Sequence, residues 1–173
     1  DIHAFEYLEQ AAESSPFVVI YGDKPFLQQL CLQHLLGEAT GEEDDGLVNV
    51  LEGDAAEWRD VNDELATVSL FGPSTRIVVV RSGDKFVTRN RDALEDYAHK
   101  PLNKSLFILE VKTWAGNTRL AKQVKSELLQ IDCRAPRKGT GNTIDEQRVV
   151  DWIQNRARSK HERDITKQAA RLL

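Results

Sequence analysis

Gly22 opens the stretch whose residue types and spacing most invite a test for phosphate chemistry. It follows the apolar run Phe17–Tyr21 and precedes a helix-like periodicity. In such a strand–loop–helix setting the helix N-terminus favours an anion. A phosphate loop of this kind needs a glycine, four residues, and then Gly-Lys-Ser/Thr. Its backbone amides cradle phosphate, the lysine meets the outer phosphates and the hydroxyl holds magnesium. Counted from Gly22, those last three places are Leu27, Gln28 and Gln29, and none supplies the chemistry. Lys24 and the loop amides offer only a weak attraction for an anion. Further along, "RIVVVRSGD" (76–84) ends without adjacent acids, so Asp84 reads as a turn or cap residue.

Other chemistries fare no better. A phospho-accepting receiver needs clustered acids after its first strand, an acceptor aspartate ending the third and a lysine ending the fifth. Here Asp23 stands alone, Val80 to Ser82 offer no acceptor, and the fifth run closes on Arg134, Ala135 and Pro136. There is no G-x-S-x-G nucleophile elbow. His34 is remote in sequence from His3, His99 and His161, and Cys31 and Cys133 have neither the number nor the spacing of a zinc site or a disulfide framework. The cysteines read as small buried hydrophobes. No catalytic residue, cofactor or metal is expected.

The elements that would position such residues alternate regularly. Five short strands are expected at "FVVIYG" (17–22), "VNVLEG" (48–53), "RIVVVRSG" (76–83), "SLFILEVK" (105–112) and "LLQIDCRAP" (128–136). Three of them are nearly all apolar, the mark of strands covered on both faces. Helices are expected between them at about 25–38, 55–68, 89–99 and 117–127, which makes a doubly wound, three-layer α/β domain with a mainly parallel sheet. Asp23 is the expected N-cap of the first helix, with Pro25 in its first turn. Trp58, Val61 and Leu65 form the core face of the second. "GEATGEEDD" (37–45) reads as an acidic loop and "RKGTGNT" (137–143) as a linker, giving a first domain over 1–137 and a second over 143–173. In the second, Thr143 and Glu146 form a capping box ahead of a helix carrying Ile144, Val149, Trp152 and Ile153. Asp164 caps another with Ile165, Ala169 and Leu172 inward.

The totals fit this picture. The 173 residues are 40% hydrophobic and 29% charged, with a mean hydropathy of -0.46. The longest apolar run is five residues, far below the roughly 20 that cross a bilayer, and no basic-then-apolar leader precedes it. A cytoplasmic protein without a membrane partner is expected. Asp1 in first position, and a helical pattern reaching Leu173, read as a piece of a longer chain. Residues 1–111 hold 9 Lys and Arg against 21 Asp and Glu, whereas 112–173 hold 14 against 7. Phosphate binding depends on Lys and Arg, so the acidic body argues against a nucleic-acid groove there, and the basic end leaves one open locally.

One stretch fits neither core nor ordinary loop. "SLFGPS" (69–74) places Leu70 and Phe71 where a chain turns through water. With "FVVIYGDKPFL" (17–27), "DELATVSLFGPSTRIVVVRSGDKFV" (63–87), "LEVKTWAGNTRLAKQVK" (109–125) and "VVDWIQNRARSKHERDITKQAARLL" (149–173), it makes the chain resemble the delta subunit family of the bacterial DNA polymerase III clamp loader. The likeness runs along nearly the whole chain, and its weight lies in four segments in order and spacing.

The resemblance implies an AAA+-like fold that has lost ATP binding, in agreement with the reading of Gly22 to Gln29. It also implies that residues from about 143 open a lid-like helical domain, and that a third, collar-forming domain lies outside this chain. In the family a Leu-Phe pair just before the third strand enters a hydrophobic pocket on the sliding clamp, and Leu70 and Phe71 occupy that place. The implied partners are the sliding clamp (beta subunit) and the other loader subunits, with DNA contact through the basic C-terminal part. Such a protein is not catalytic by itself, although the holoenzyme is a DNA-directed DNA polymerase. Trp114 and Asn117 sit where an active relative senses nucleotide, and here point to packing or subunit contact. The rival readings are a nucleotide-dependent P-loop-like enzyme with a divergent loop, and a protein-interaction module using the basic region Arg134 to Arg171. Leu70 and Phe71 tucked under their own sheet is the plain structural alternative.

Overall fold

The computed structural model describes residues 1–10, 15–40, 48–67, 75–139 and 141–172. They form two compact units, Asp1–Arg134 and Ala135–Leu173.

The first unit is an α/β domain built on an all-parallel six-stranded sheet. Its strands are β1 (Ile2–His3), β2 (Phe17–Tyr21), β3 (Val48–Glu52), β4 (Arg76–Arg81), β5 (Ser105–Val111) and β6 (Leu129–Asp132). Their spatial order is β1-β6-β2-β5-β4-β3. The helices are α1 (Ala4–Tyr7), α2 (Pro25–Thr40), α3 (Trp58–Ala66), α4 (Asp84–Arg89), α5 (Arg91–His99) and α6 (Arg119–Glu127). The five strands expected from sequence are present. The sixth, β1, is a two-residue edge pairing Ile2 with Ile131, too short to carry any periodicity.

Alternation along the strands divides the core into two layers. Phe17, Val19 and Tyr21 of β2, Val78 and Val80 of β4, and Phe107, Leu109 and Val111 of β5 pack with Val61 and Leu65 of α3, Phe86 of α4, Leu94 and Tyr97 of α5, and Leu120 and Val124 of α6. The intervening residues, Val18, Ile20, Ile77, Val79 and Ile108, are equally buried, and α2 packs against β2. Both faces of the central strands are therefore covered, which is why their sequences are apolar without alternation. Edge strand β3 does alternate, leaving Val48 and Val50 exposed. Trp58 stands half-buried among aromatic rings, its centroid 5.4 Å from Tyr97 and 6.1 Å from Phe107.

Several local expectations shift. The carbonyl of Lys24 accepts the first bond of α2, from Gln28 N–H, so Lys24 holds the N-cap position and Pro25 the first helical one. Asp23 instead lies 3.2 Å from Lys24 Nζ. Because α2 runs to Thr40, Gly37 is inside the helix rather than in an acidic loop, and 41–45 lie outside the described residues. The helix expected at 89–99 is present as α5, and a further helix, α4, precedes it; between them the Asn90 side-chain amide bonds back to Phe86 O at 3.0 Å.

In the second unit, Arg137 bridges to Ile144 and Lys138 N–H reaches Thr143 O at 2.9 Å. Helix α7 (Glu146–His161) follows, then α8 (Lys167–Ala170). Asp145, not Thr143, caps α7 by accepting from Arg148 N–H. Thr166, not Asp164, caps α8, and Asp164 takes the Arg158 guanidinium at 2.9 Å. Val150 and Trp152 of α7 and Ala170 of α8 are buried, while Ile144, Ala169 and Leu172 face water. Among the described residues, no helix is long and apolar enough to cross a membrane.

Candidate functional site

In parallel α/β sheets ligands gather at the carboxyl ends of the strands, and here those ends are closed by the chain's own groups. Only Gly22 to Lys24 separate β2 from α2. Gly22 has φ 141, and a Cβ on it would overlap the Cys133 carbonyl carbon and approach Arg134 N to 2.7 Å. Its N–H bonds to Val111 O at 3.1 Å, and Tyr21 O accepts from Cys133 N–H at 2.6 Å. The ends of β2, β5 and β6 are thus laced together beneath a loop too short to wrap a phosphate.

Gln28 holds the place a phosphate-binding lysine would take. It is buried, and its amide donates to Val111 O at 2.9 Å. Gln29 Oε1 accepts from Arg81 at 3.3 Å, and Arg81 Nε lies 3.5 Å from Glu110 Oε2. Glu52 is the register partner of Arg81 across β3 and β4. Burial pushes the Glu110 carboxyl up, Arg81 pulls it back, and Glu52 pushes it further up. At the end of β4, where an active enzyme would place acids for magnesium, Arg81 stands in register beside Glu52 and holds its guanidinium near Glu110.

Asp84 is the first residue of α4 rather than its cap, which is Gly83, and its carboxylate ties α4 to the chain leaving β5. Ser82 takes a left-handed backbone, φ 50, and turns the chain into α4. The Asp84 carboxylate then accepts from Lys112 N–H at 3.0 Å, Thr113 N–H at 2.9 Å and Thr113 Oγ1 at 2.6 Å. Burial alone would raise its pKa. These bonds outweigh that and hold it below the usual carboxylate range. At the ends of β2 and β6, Asp132 takes the Arg134 guanidinium through both oxygens, at 2.9 and 2.5 Å, and Arg134 lies 5.2 Å over the Tyr21 ring. Burial, then Asp132, push the Tyr21 hydroxyl up to about 12.

The remaining candidates separate. His34 Nε2 lies 3.1 Å from Gln10 O and its ring stands edge-on to Tyr7. Trp114 packs on the core with its Nε1 buried and without an acceptor among the described residues, while Asn117 is exposed. Cys31 and Cys133 are fully buried, and their sulfurs lie 3.9 Å apart. Sequence reasoning gave each its burial but not their meeting, because a crossover fold carries no local signal for a contact between α2 and the end of β6. Leu70 and Phe71 lie outside the described residues, in the connection from α3 to β4. Helix α3 ends at Ala66, with Thr67 Oγ1 donating to Asp63 O at 2.8 Å.

This strand order, with helices on both faces, defines a parallel three-layer α/β fold. Among solved structures it is shared with the DNA clamp loader delta protein YqeN of Bacillus subtilis, at a TM-score of 0.72 and 18% identity over 98% of this chain and 50% of that one. A DNA polymerase III gamma subunit-related protein of Thermotoga maritima aligns less well, at a TM-score of 0.50 and 12% identity over 98% of this chain and 56% of that one. The chain spans about half the length of each. Neither a family model nor a curated protein matches the sequence.

Proposed function

We propose that this chain is the clamp-binding part of a clamp loader delta subunit, which holds the sliding clamp, helps open the ring for loading onto primed DNA during replication, and does so without binding ATP or catalysing a reaction. One observation carries the reading. A fold shared with a clamp loader delta protein has the carboxyl ends of its strands sealed by Gly22, Gln28 and the Glu52–Arg81–Glu110 row, where a nucleotide would need room and a lysine.

Leu70 and Phe71 are the clamp contact in this reading. Burying one such side chain contributes roughly 1.5–3 kcal/mol, so the pair supplies about 3–6 of the roughly 8 kcal/mol that a micromolar complex requires. It anchors the contact, and neighbouring surface completes it. Binding favours the open ring only by the difference in affinity between open and closed forms. The unit Ala135–Leu173 is the opening of the lid-like domain; its basic residues meet DNA or a neighbouring loader subunit, and the protein works in the cytoplasm.

The test is a pair of titrations, one with the cognate clamp in the presence and absence of ATP and magnesium, the other with ATP and magnesium alone. A clamp complex of equal affinity in both conditions, with no saturable nucleotide binding in the micromolar range, is expected. Saturation at micromolar ATP would instead favour the divergent-loop enzyme.

A further inference from the structure

Cys31 and Cys133 are separated by 102 positions in sequence, yet the Cys133 thiol points at Cys31 Sγ from 3.9 Å, with both residues fully buried. Cys31 belongs to α2, and Cys133 follows β6 directly, one residue before the end of the first unit. A disulfide holds its sulfurs about 2.05 Å apart, so closure needs an approach of roughly 2 Å. The Cys133 side is fixed, since its N–H is bonded to Tyr21 O at 2.6 Å and its carbonyl sits under Gly22. The movement must come from α2, whose thiol side packs on the sheet.

We propose that Cys31 and Cys133 are an oxidation site, at which a peroxide closes a disulfide that ties α2 to the last residues of the first unit. One thiolate attacks a peroxide oxygen, the O–O bond breaks, and a sulfenic acid and water form. The second thiolate displaces the sulfenic oxygen as water and the S–S bond forms. Two thiols and one hydrogen peroxide thus give one disulfide and two waters. The contact with Cys31, and then burial, push the Cys133 thiol far up. The closed fold therefore keeps the Cys133 thiol protonated and buries both sulfurs away from a peroxide, so oxidation proceeds through local opening of α2. The site is a slow recorder of that opening, unlike an exposed, fast-reacting sensor cysteine.

The experiment treats the full chain with hydrogen peroxide, alkylates the remaining thiols under acid quench, and maps the digest by mass spectrometry. A peptide joining Cys31 to Cys133 is expected, with the intact chain lighter by two hydrogens. Its thermal midpoint should rise by at least about 3 °C, because the bond closes a loop of about 100 residues, and dithiothreitol should reverse the shift. C31A and C133A should each abolish the linked peptide, and the unmodified chain decides the matter if either variant fails to fold. Two thiols that stay alkylatable, separate sulfinic acids with no linked peptide, or links only between chains would overturn the proposal, as would an oxidised midpoint that does not rise.

Discussion

Gly22 and Gln28 show how single residues close this site. At Gly22 a side chain would meet the backbone of Cys133 and Arg134 in a conformation that L residues rarely adopt. Gly22→Ala should therefore lower stability by at least about 2 kcal/mol in urea unfolding; a loss under 0.5 kcal/mol would mean that the ends of β2 and β6 are not locked. Gln28→Leu should cost less, about 0.5–1.5 kcal/mol, because Val111 O keeps its second donor, Gly22 N–H, at 3.1 Å. Asp84 is the residue through which pH reaches the fold. Its pKa is lower in the folded chain than its ordinary value of 3.8, so its contribution is fully present above that value and fades as pH falls toward the lower folded one. Unfolding followed from pH 6 to pH 2 should show a shallower acid-side loss in Asp84→Asn than in the unaltered chain, and superimposable profiles would refute the assignment.

The elements were legible to the degree that their signal is local. Runs such as Ile77 to Val80 announce buried parallel strands because both their faces are covered, and Pro25 marks the start of α2. The Thr143–Glu146 pattern misled because a nearer carboxylate, Asp145, takes the cap and leaves Ile144 outside the helix. Helix α4 escaped because six residues with one buried side chain, Phe86, are too few to show a periodicity. In the site, the failure of Leu27, Gln28 and Gln29 to match a phosphate loop could be read directly. The row Glu52–Arg81–Glu110 could not, since it exists only once three strands lie side by side. Helix α6 offers a check on this local grammar. Thr118 caps it by accepting from Ala121 N–H at 3.2 Å, and Leu120 and Val124 carry its face into the core. Thr118→Ala should cost about 1 kcal/mol in urea unfolding, and no loss would deny that the cap fixes the start of α6.

At the scale of the whole molecule, the parallel sheet, covered on both faces, is the rigid mount in the proposed function. Its carboxyl ends are sealed by its own side chains, and the connection from α3 to β4, where Leu70 and Phe71 lie, joins the amino end of β4. Charge divides along the chain as well, with the acidic excess in residues 1–111 and the basic excess in 112–173, and in the proposed function it is the second region that meets DNA or a neighbouring subunit. The central claim is that two apolar side chains are offered to another protein. The most direct measurement is the dissociation constant for the cognate clamp, taken with the unaltered chain and with Leu70→Ala/Phe71→Ala, with thermal midpoints compared as a control for folding. The account predicts a weakening of at least about 100-fold at an unchanged midpoint. Equal affinities from two equally stable proteins would contradict it.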